Sequence, residues 1–512
     1  MPLLVLAGLV GAAALLPVAY LAITVADGGG DAIGAAFDGG ALALLGRSLG
    51  LAAAVTATAI GLALPLAWLT ARTDLPGRRA WTVLTVLPLV IPSYIGAYLL
   101  VSALGPTGLA RDALGVDRLP SIYGFAGAWL TLTLFTYPLV LLTVRAAMRR
   151  LDPQLEEAAR GMGRSAWGTY FGVVLPQLRP AIGAGGLLVA LYVLSDFGAV
   201  SILRFDSLTR AIYTSYRASF DRAQAASLAC LLIAVTLVVI FLEARARARA
   251  AYHRAGPGAA RPAPTVALGR WRWPAVALCA AVTLLALVLP VGVLAYWTTK
   301  SFSGTVDWSE VGAAARHSLL AAALAAGAAA ACALPVAVLA ARHRGVLPRL
   351  IERATYATHA LPGVVVGLAL VFFGTRVALP LYQTLAMLVA AFVLLFLPQA
   401  VGPARAALLQ VSPHLEEAAR GLGRRAPVAF ATVTAPLASG GILAGGALVF
   451  LTAVKELPAT LLLAPIGFDT LATDIWRATS VGFFERGAVP SLVLLAVSAP
   501  PLYILTARRG LG

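Results

Sequence analysis

Charged side chains are scarce in this 512-residue chain. They make up 12 % of it, about half of the ~25 % usual in a soluble globular domain. Cysteine is rarer still. Cys230, Cys279 and Cys332 each stand in an apolar run with no metal-ligand spacing, so they read as small buried hydrophobes rather than a metal site or a disulfide framework. The five histidines (His253, His317, His343, His359, His414) are scattered, and no HExxH pair occurs. Nor is there a Ser/His or Cys/His constellation, which argues against an enzyme acting within the membrane. Lys300 and Lys455 are the only lysines, and GxxxxGK[ST] is absent. The chain therefore cannot cradle the phosphates of ATP in a Walker A loop. No metal-binding or catalytic residues are expected.

What the sequence does have is apolar length. Hydrophobic residues make up 60 % of it and the mean hydropathy is +0.87. Runs of 18 or more apolar residues recur, each long enough to cross a ~30 Å hydrocarbon core as a helix. They lack the alternation of a membrane β-barrel. The fold class is thus all-α, a polytopic membrane protein. Twelve spans are expected, at 3–26, 44–71, 81–104, 122–144, 181–203 and 225–243, then 274–297, 313–341, 354–374, 380–402, 440–463 and 488–507. The N-terminal run lacks a basic n-region and is too long for a signal h-region, so it reads as a retained span.

The net charge of +17 does not indicate nucleic acid, because the basic residues form short clusters between apolar runs instead of one stripe. With both termini cytosolic, 26 of the 39 basic residues fall in inner loops and tails. Twelve fall in outer loops or at outer span ends, and Lys455 lies within a span. This bias follows the positive-inside rule. The segment 244–273, rich in Ala, Arg and Pro, reads as a flexible cytosolic linker that also offers a surface for anionic lipid.

That linker divides a duplication. Ser48, Pro65, Arg72 and Pro92 recur as Ser318, Pro335, Arg342 and Pro362 at an offset of 270, and Pro138, Pro153 and Pro176 recur as Pro398, Pro413 and Pro436 at 260. The expected organisation is two homologous six-helix halves, 1–243 and 274–512, in parallel orientation. This is a common transporter plan.

One charged phrase is also written twice, EEAARGMGRS at 156–165 and EEAARGLGRR at 416–425. Asp152-Pro153 and Ser412-Pro413 place an N-cap residue before a proline at the first helical position. Gly161 and Gly421 then give the chain a place to stop. The expected local structure is a short helix, a glycine break and a second helix near the membrane surface. Glu156, Ala159, Arg160 and Gly163 share one face of the first helix. A solvated connector would have no reason to keep this order in both halves.

The phrase resembles the signature loop of binding-protein-dependent ABC importer permeases: Glu-Ala-Ala, three residues, Gly, nine residues, an aliphatic, one residue, Leu-Pro. The first copy supplies Glu157, Ala158, Ala159, Gly163, Val173, Leu175 and Pro176. The second supplies Glu417, Ala418, Ala419, Gly423, Val433 and Pro436, with Ala435 where leucine is usual. The resemblance implies a type I ABC importer permease whose loops, Glu156 to Gly163 and Glu416 to Gly423, dock two copies of a cytosolic ATPase subunit. ATP and Mg would then bind that partner, with no cofactor on this chain. An external solute-binding protein would deliver the cargo.

A second pair of phrases follows the loops, SDFGAVSILRFDSLTRAIY (195–213) and KELPATLLLAPIGFDTLATDIW (455–476). The latter makes the chain look most like the fused ferric-iron permeases. Thiamine permeases are the alternative, with phosphonate and polyamine permeases more distant. An ion-coupled secondary transporter would explain the repeats but not the twin loops. A charge at mid-bilayer costs at least about 2.5–3.5 kcal/mol, so Asp196, Lys455 and Glu456 are candidates for the substrate pathway. The bland reading is that Lys455 and Glu456 pair with charges on neighbouring helices and set packing. Asp206 and Asp469 in the outer loops read equally as caps or as binding-protein contacts.

Overall fold

The computed structural model describes residues 2–29, 34–35, 37–117, 119–248, 265–302, 306–343, 345–358 and 361–507. Among these residues no strand occurs, only an isolated bridge between Thr73 and Val266. Among the described residues ten helices are long and apolar enough to span a bilayer: Leu3–Asp27, Gly39–Arg72, Ser93–Arg111, Phe125–Met148, Trp167–Ser195, Arg222–Leu242, Gly269–Phe302, Trp308–Arg342, Leu385–Gln410 and Ala426–Ala453. The expected span 488–507 falls on the helix Phe484–Ala507.

Two expected spans are broken, at duplicated prolines. Instead of one helix over 81–104, the chain forms Arg78–Leu84, a 3-10 turn at Leu87–Val90 and then Ser93–Leu104. Pro92 holds Ile91 in extended backbone, as the residue before a proline must be. Over 354–374 the helix Val346–Ala357 stops and Gly363–Arg376 starts after Pro362. Two further spans end early. Leu175–Ser195 stops at Asp196, and a short helix Gly198–Ile202 follows. Ala435–Ala453 is followed by Pro458–Leu463. Hydropathy averages over such breaks because the residues on both sides are apolar. In lipid a broken helix survives only where protein satisfies the freed backbone.

The chain folds into two compact units that are not contiguous in sequence. One contains Met1–Ala41, Ala211–Ile233 and Lys300–Gly512; the other contains Leu42–Arg210 and Ala234–Thr299. In the first unit, the N-terminal helix Pro2–Asp27 lies on Trp308–Arg342, Val346–Ala357 and Gly363–Arg376. Tyr20 meets Phe373 edge-on, with ring centroids 5.7 Å apart, and Arg376 Nη1 pairs with Asp27 Oδ2 at 2.8 Å. Within the second unit, the π-turn Leu284–Val288 packs on Phe125–Met148, and the Trp297 indole donates to Ser102. Each repeat thus lends its opening span to helices of the other repeat, an exchange that sequence homology does not encode.

Small residues set the packing of the long helices. Ala325, Ala329, Ala333 and Ala337 are buried along Trp308–Arg342. A Cβ added at Gly445 would lie 2.9 Å from the Ala400 carbonyl oxygen. Such close approach substitutes for the hydrophobic drive that lipid cannot supply.

Candidate functional site

The repeated phrase forms the same object twice. Pro153–Gly161 and Pro413–Gly421 are nine-residue helices with proline in the first turn. The Asp152 carboxylate accepts from Gln154 N at 3.0 Å and caps the first helix. Ser412 makes no such bond, so only one of the two expected side-chain caps forms. The C-terminal closures are identical. Gly163 N donates to Arg160 O at 2.9 Å and Arg164 N to Ala159 O at 3.2 Å; Gly423 N donates to Arg420 O at 3.0 Å and Arg424 N to Ala419 O at 3.2 Å. Both closures need left-handed backbone, and Gly163 and Gly423 each have φ +87°. This conformation explains why glycine stands at both positions.

The expected surface helix after the break is instead continuous with the next span. Tyr170–Val174 and Phe430–Thr434 are π-turns inside it. Pro176 and Pro436 lie just beyond, and a proline clashes with the carbonyl four residues back. Widening one turn relieves that clash without ending the helix.

One face of each short helix is held by the membrane helices and the other is free. Ala159 and Ala419 are buried. Glu156 pairs with the buried Arg72 at the end of Gly39–Arg72. Glu416 instead accepts from Thr434 Oγ1 at 2.9 Å. Glu157, Ala158, Gly161, Glu417, Ala418 and Gly421 are exposed. So are Leu155, Met162, Leu415 and Leu422, with Met162 77 % and Leu422 86 % exposed. A large apolar side chain set between two glycines was the overlooked signal at 162 and 422. Paired apolar knobs beside carboxylates make a surface suited to a protein partner.

Asp196 and Glu456 sit at the breaks described above. Asp196 Oδ1 accepts from Ala199 N at 2.9 Å and Val200 N at 3.2 Å, and Oδ2 accepts from the Ser93 hydroxyl. Thr209 Oγ1 donates to the Asp196 carbonyl at 2.6 Å. Glu456 Oε2 accepts from Ala459 N at 3.1 Å, Thr460 N at 3.2 Å and Thr460 Oγ1 at 3.3 Å. Each carboxylate therefore stops one helix and starts the next, and its donors offset much of the cost of burying it. Lys455, half-buried, occupies the last turn before the second break.

The duplicated serines also have a shared task. Ser48 Oγ accepts from Leu208 N at 2.9 Å and Ser318 Oγ from Leu471 N at 2.8 Å, fixing the amphipathic helices that follow each break. Neither Asp206 nor Asp469 caps a helix. Asp206 pairs with Arg210 at 2.6 Å and Asp469 with Arg477. Near Asp469 a cavity of about 490 Å³ is lined by Asp307, Glu310, Asp474, Arg477 and Glu485. Burial pushes the Asp474 carboxyl up to about 6; Glu310 and Asp469 add to the effect and Arg477 opposes it.

Comparison with known proteins fits this arrangement. The profile of a family described as "Binding-protein-dependent transport system inner membrane component" matches residues 59–251 and 333–509, once per repeat. The chain is 33 % identical over 465 residues to the Fe(3+)-transport system permease protein FbpB 2 of Haemophilus influenzae, covering 90 % of this chain and 89 % of that protein. It is 29 % identical over 181 residues to the sulfate transport system permease protein CysT of Escherichia coli, covering 34 % of this chain and 65 % of that one. The molybdenum transport system permease protein ModB of Haemophilus influenzae is 31 % identical over 210 residues, covering 40 % of this chain and 91 % of its own length.

Proposed function

The chain belongs to the family of binding-protein-dependent transport system inner membrane components, and on that premise we propose that it imports ferric iron. It is the permease of an ABC importer, a multi-pass inner-membrane protein holding both permease repeats in one chain. In our reading, ferric iron arrives on an external solute-binding protein. Two cytosolic ATPase subunits, carrying ATP and Mg, drive the cycle. Both termini and both signature loops face the cytosol.

The observation that carries the coupling reading is the matching C-terminal closure of the loop in the two repeats, each presenting an exposed apolar knob on a glycine-closed helix. Two equivalent docking surfaces suit two equivalent motor subunits. The lack of a Walker A sequence in these 512 residues supports the reading that a partner hydrolyses ATP. For the cargo, the support is coverage. The iron permease aligns along nearly all of both chains, whereas the sulfate and molybdenum permeases align over about one repeat. Asp196, Lys455 and Glu456 stand at the helix breaks, where a transport pathway has its hinges.

The cargo is tested by uptake into vesicles holding this chain and its ATPase, with the external binding protein added. Ferric iron should be taken up with ATP and should stimulate hydrolysis. Uptake and stimulation by thiamine alone would refute iron.

A further inference from the structure

A bend follows the second span of each repeat, and among the described residues the chain covers only one of the two copies. In the first repeat this bend is Arg72 to Leu75. Val266 N donates to Arg72 O at 2.8 Å, Asp74 N donates to Val266 O at 3.2 Å, and Leu268 N donates to Asp74 Oδ1 at 2.8 Å. Thr73 and Leu75 are buried beneath this segment. The linker, expected to be flexible throughout, is thus pinned at this end. Its residues 249–264 lie outside the described residues.

The second repeat places Arg342, His343 and Gly345 at the corresponding bend. There a cavity of about 400 Å³ is lined by His343, Arg349, Glu352, Arg405 and Leu409, among others. Its one acid is already committed, because Arg405 Nη1 pairs with Glu352 Oε1 at 3.0 Å. Arg349 Nε donates to Gly345 O at 2.9 Å. On the cavity lining, Arg405 Nε is buried without a hydrogen-bond partner among the described residues. Buried donors left unpaired are costly, more so on a charged group. An oxyanion in the cavity can accept from the guanidinium groups of Arg349 and Arg405 at once, and arginine matches phosphate geometry in particular.

The rim is apolar. Leu409, on the cavity wall, is 59 % exposed, and Leu347 and Leu350 on the helix Val346–Ala357 are also exposed. Free phosphate has no use for such a rim, whereas a lipid has. We propose that this cavity binds the phosphate of an anionic phospholipid, with Arg349, Arg405 and His343 around the headgroup and Leu347, Leu350 and Leu409 along the acyl chains. Basic pockets between spans at the membrane surface favour such headgroups. Among the described residues the linker takes that place in the first repeat, and the cavity lies only in the second.

The test is native mass measurement of the purified full chain after exchange into phosphatidylglycerol or phosphatidylcholine, with inorganic phosphate as a separate arm. Wild type should retain phosphatidylglycerol over phosphatidylcholine. The double variant His343→Ala/Arg349→Ala should retain it about tenfold less, the scale of one charged hydrogen bond. Arg79→Ala, at the matching place in the first repeat, should retain it normally. Leu409→Asp, which spoils the rim without removing a cation, should also lose the lipid and serves if the double variant fails to fold. Equal retention by all variants would overturn the site. Binding of inorganic phosphate without any lipid preference would overturn the lipid assignment.

Discussion

The hydroxyl of Ser93 donates to Asp196, and this contact has no copy in the second repeat. There the matching residue is Gly363, where an added Cβ would overlap Glu456 Oε1. The shorter acid faces a serine, the longer acid faces a glycine, and the space between the facing helices is filled in both. The two positions of each repeat therefore form one packing unit.

Gly363→Ser should destabilise the chain by about 1–3 kcal/mol, the usual cost of overpacking a filled core. Combining it with Glu456→Asp recreates the arrangement of the first repeat and should recover most of the loss. Thermal unfolding of the purified variants reads both. If the double variant is no better than the single, the two residues are not matched.

Arg72 and Arg342 should respond differently to truncation. Arg72→Ala leaves Glu156 half-buried without its partner, at the lower end of the ~3–5 kcal/mol cost of breaking a buried pair. Arg342→Ala removes a side chain whose Nη2 is already unpartnered, while Glu416 stays bonded to Thr434. Its stability should change little. Denaturation midpoints at equal detergent concentration distinguish the two, and equal losses would contradict the asymmetry.

At the signature loops the glycines separate backbone need from space. Nothing lies within 4 Å of a Cβ added at Gly161, Gly163 or Gly423, yet only the last two have positive φ. Gly161→Ala should be neutral or stabilise by up to about 1 kcal/mol, as glycine in a helix is less stable than alanine by that much. Gly163→Val and Gly423→Val should weaken ATPase binding while leaving insertion in the membrane unchanged. Pull-down of the ATPase subunit with each variant measures this. Normal transport by both valine variants would remove the loops from the coupling role.

The cavity beside Asp474 should make stability depend on pH. The folded Asp474 carboxyl titrates at about 6, above the ~3.9 of an unfolded aspartate. Its stabilisation is fully present below the unfolded value and is lost as pH rises through the folded one. Melting temperature should therefore fall between about pH 4 and 6 in the wild type, and Asp474→Asn should remove that component. An unchanged profile in the variant would show that Asp474 does not carry it.

Much of this was legible in the sequence, and the gaps have physical causes. The loops were readable because a left-handed closure leaves glycine as its mark at 163 and 423, and because Pro153 and Pro413 mark helix starts. Duplicated Ser48 and Ser318 were visible as a pair, but their partners, Leu208 and Leu471, are far along the chain and bond through backbone N–H groups that carry no sequence signal. The breaks at Pro92 and Pro362 were hidden because the flanking residues are as apolar as a span. The role of Glu456 as a helix stop was hidden for another reason: its donors are mostly backbone groups three and four residues on. The exchange of opening spans depends on which helices meet, which hydropathy does not record.

The most direct test of the coupling scheme is the mass of the complex extracted gently with its ATPase. Two ATPase subunits per chain are expected, falling toward one when either Met162 or Leu422 is replaced by aspartate and toward none when both are. A single ATPase in the wild-type complex, or two retained in the double variant, would contradict the assignment of one motor subunit to each signature loop.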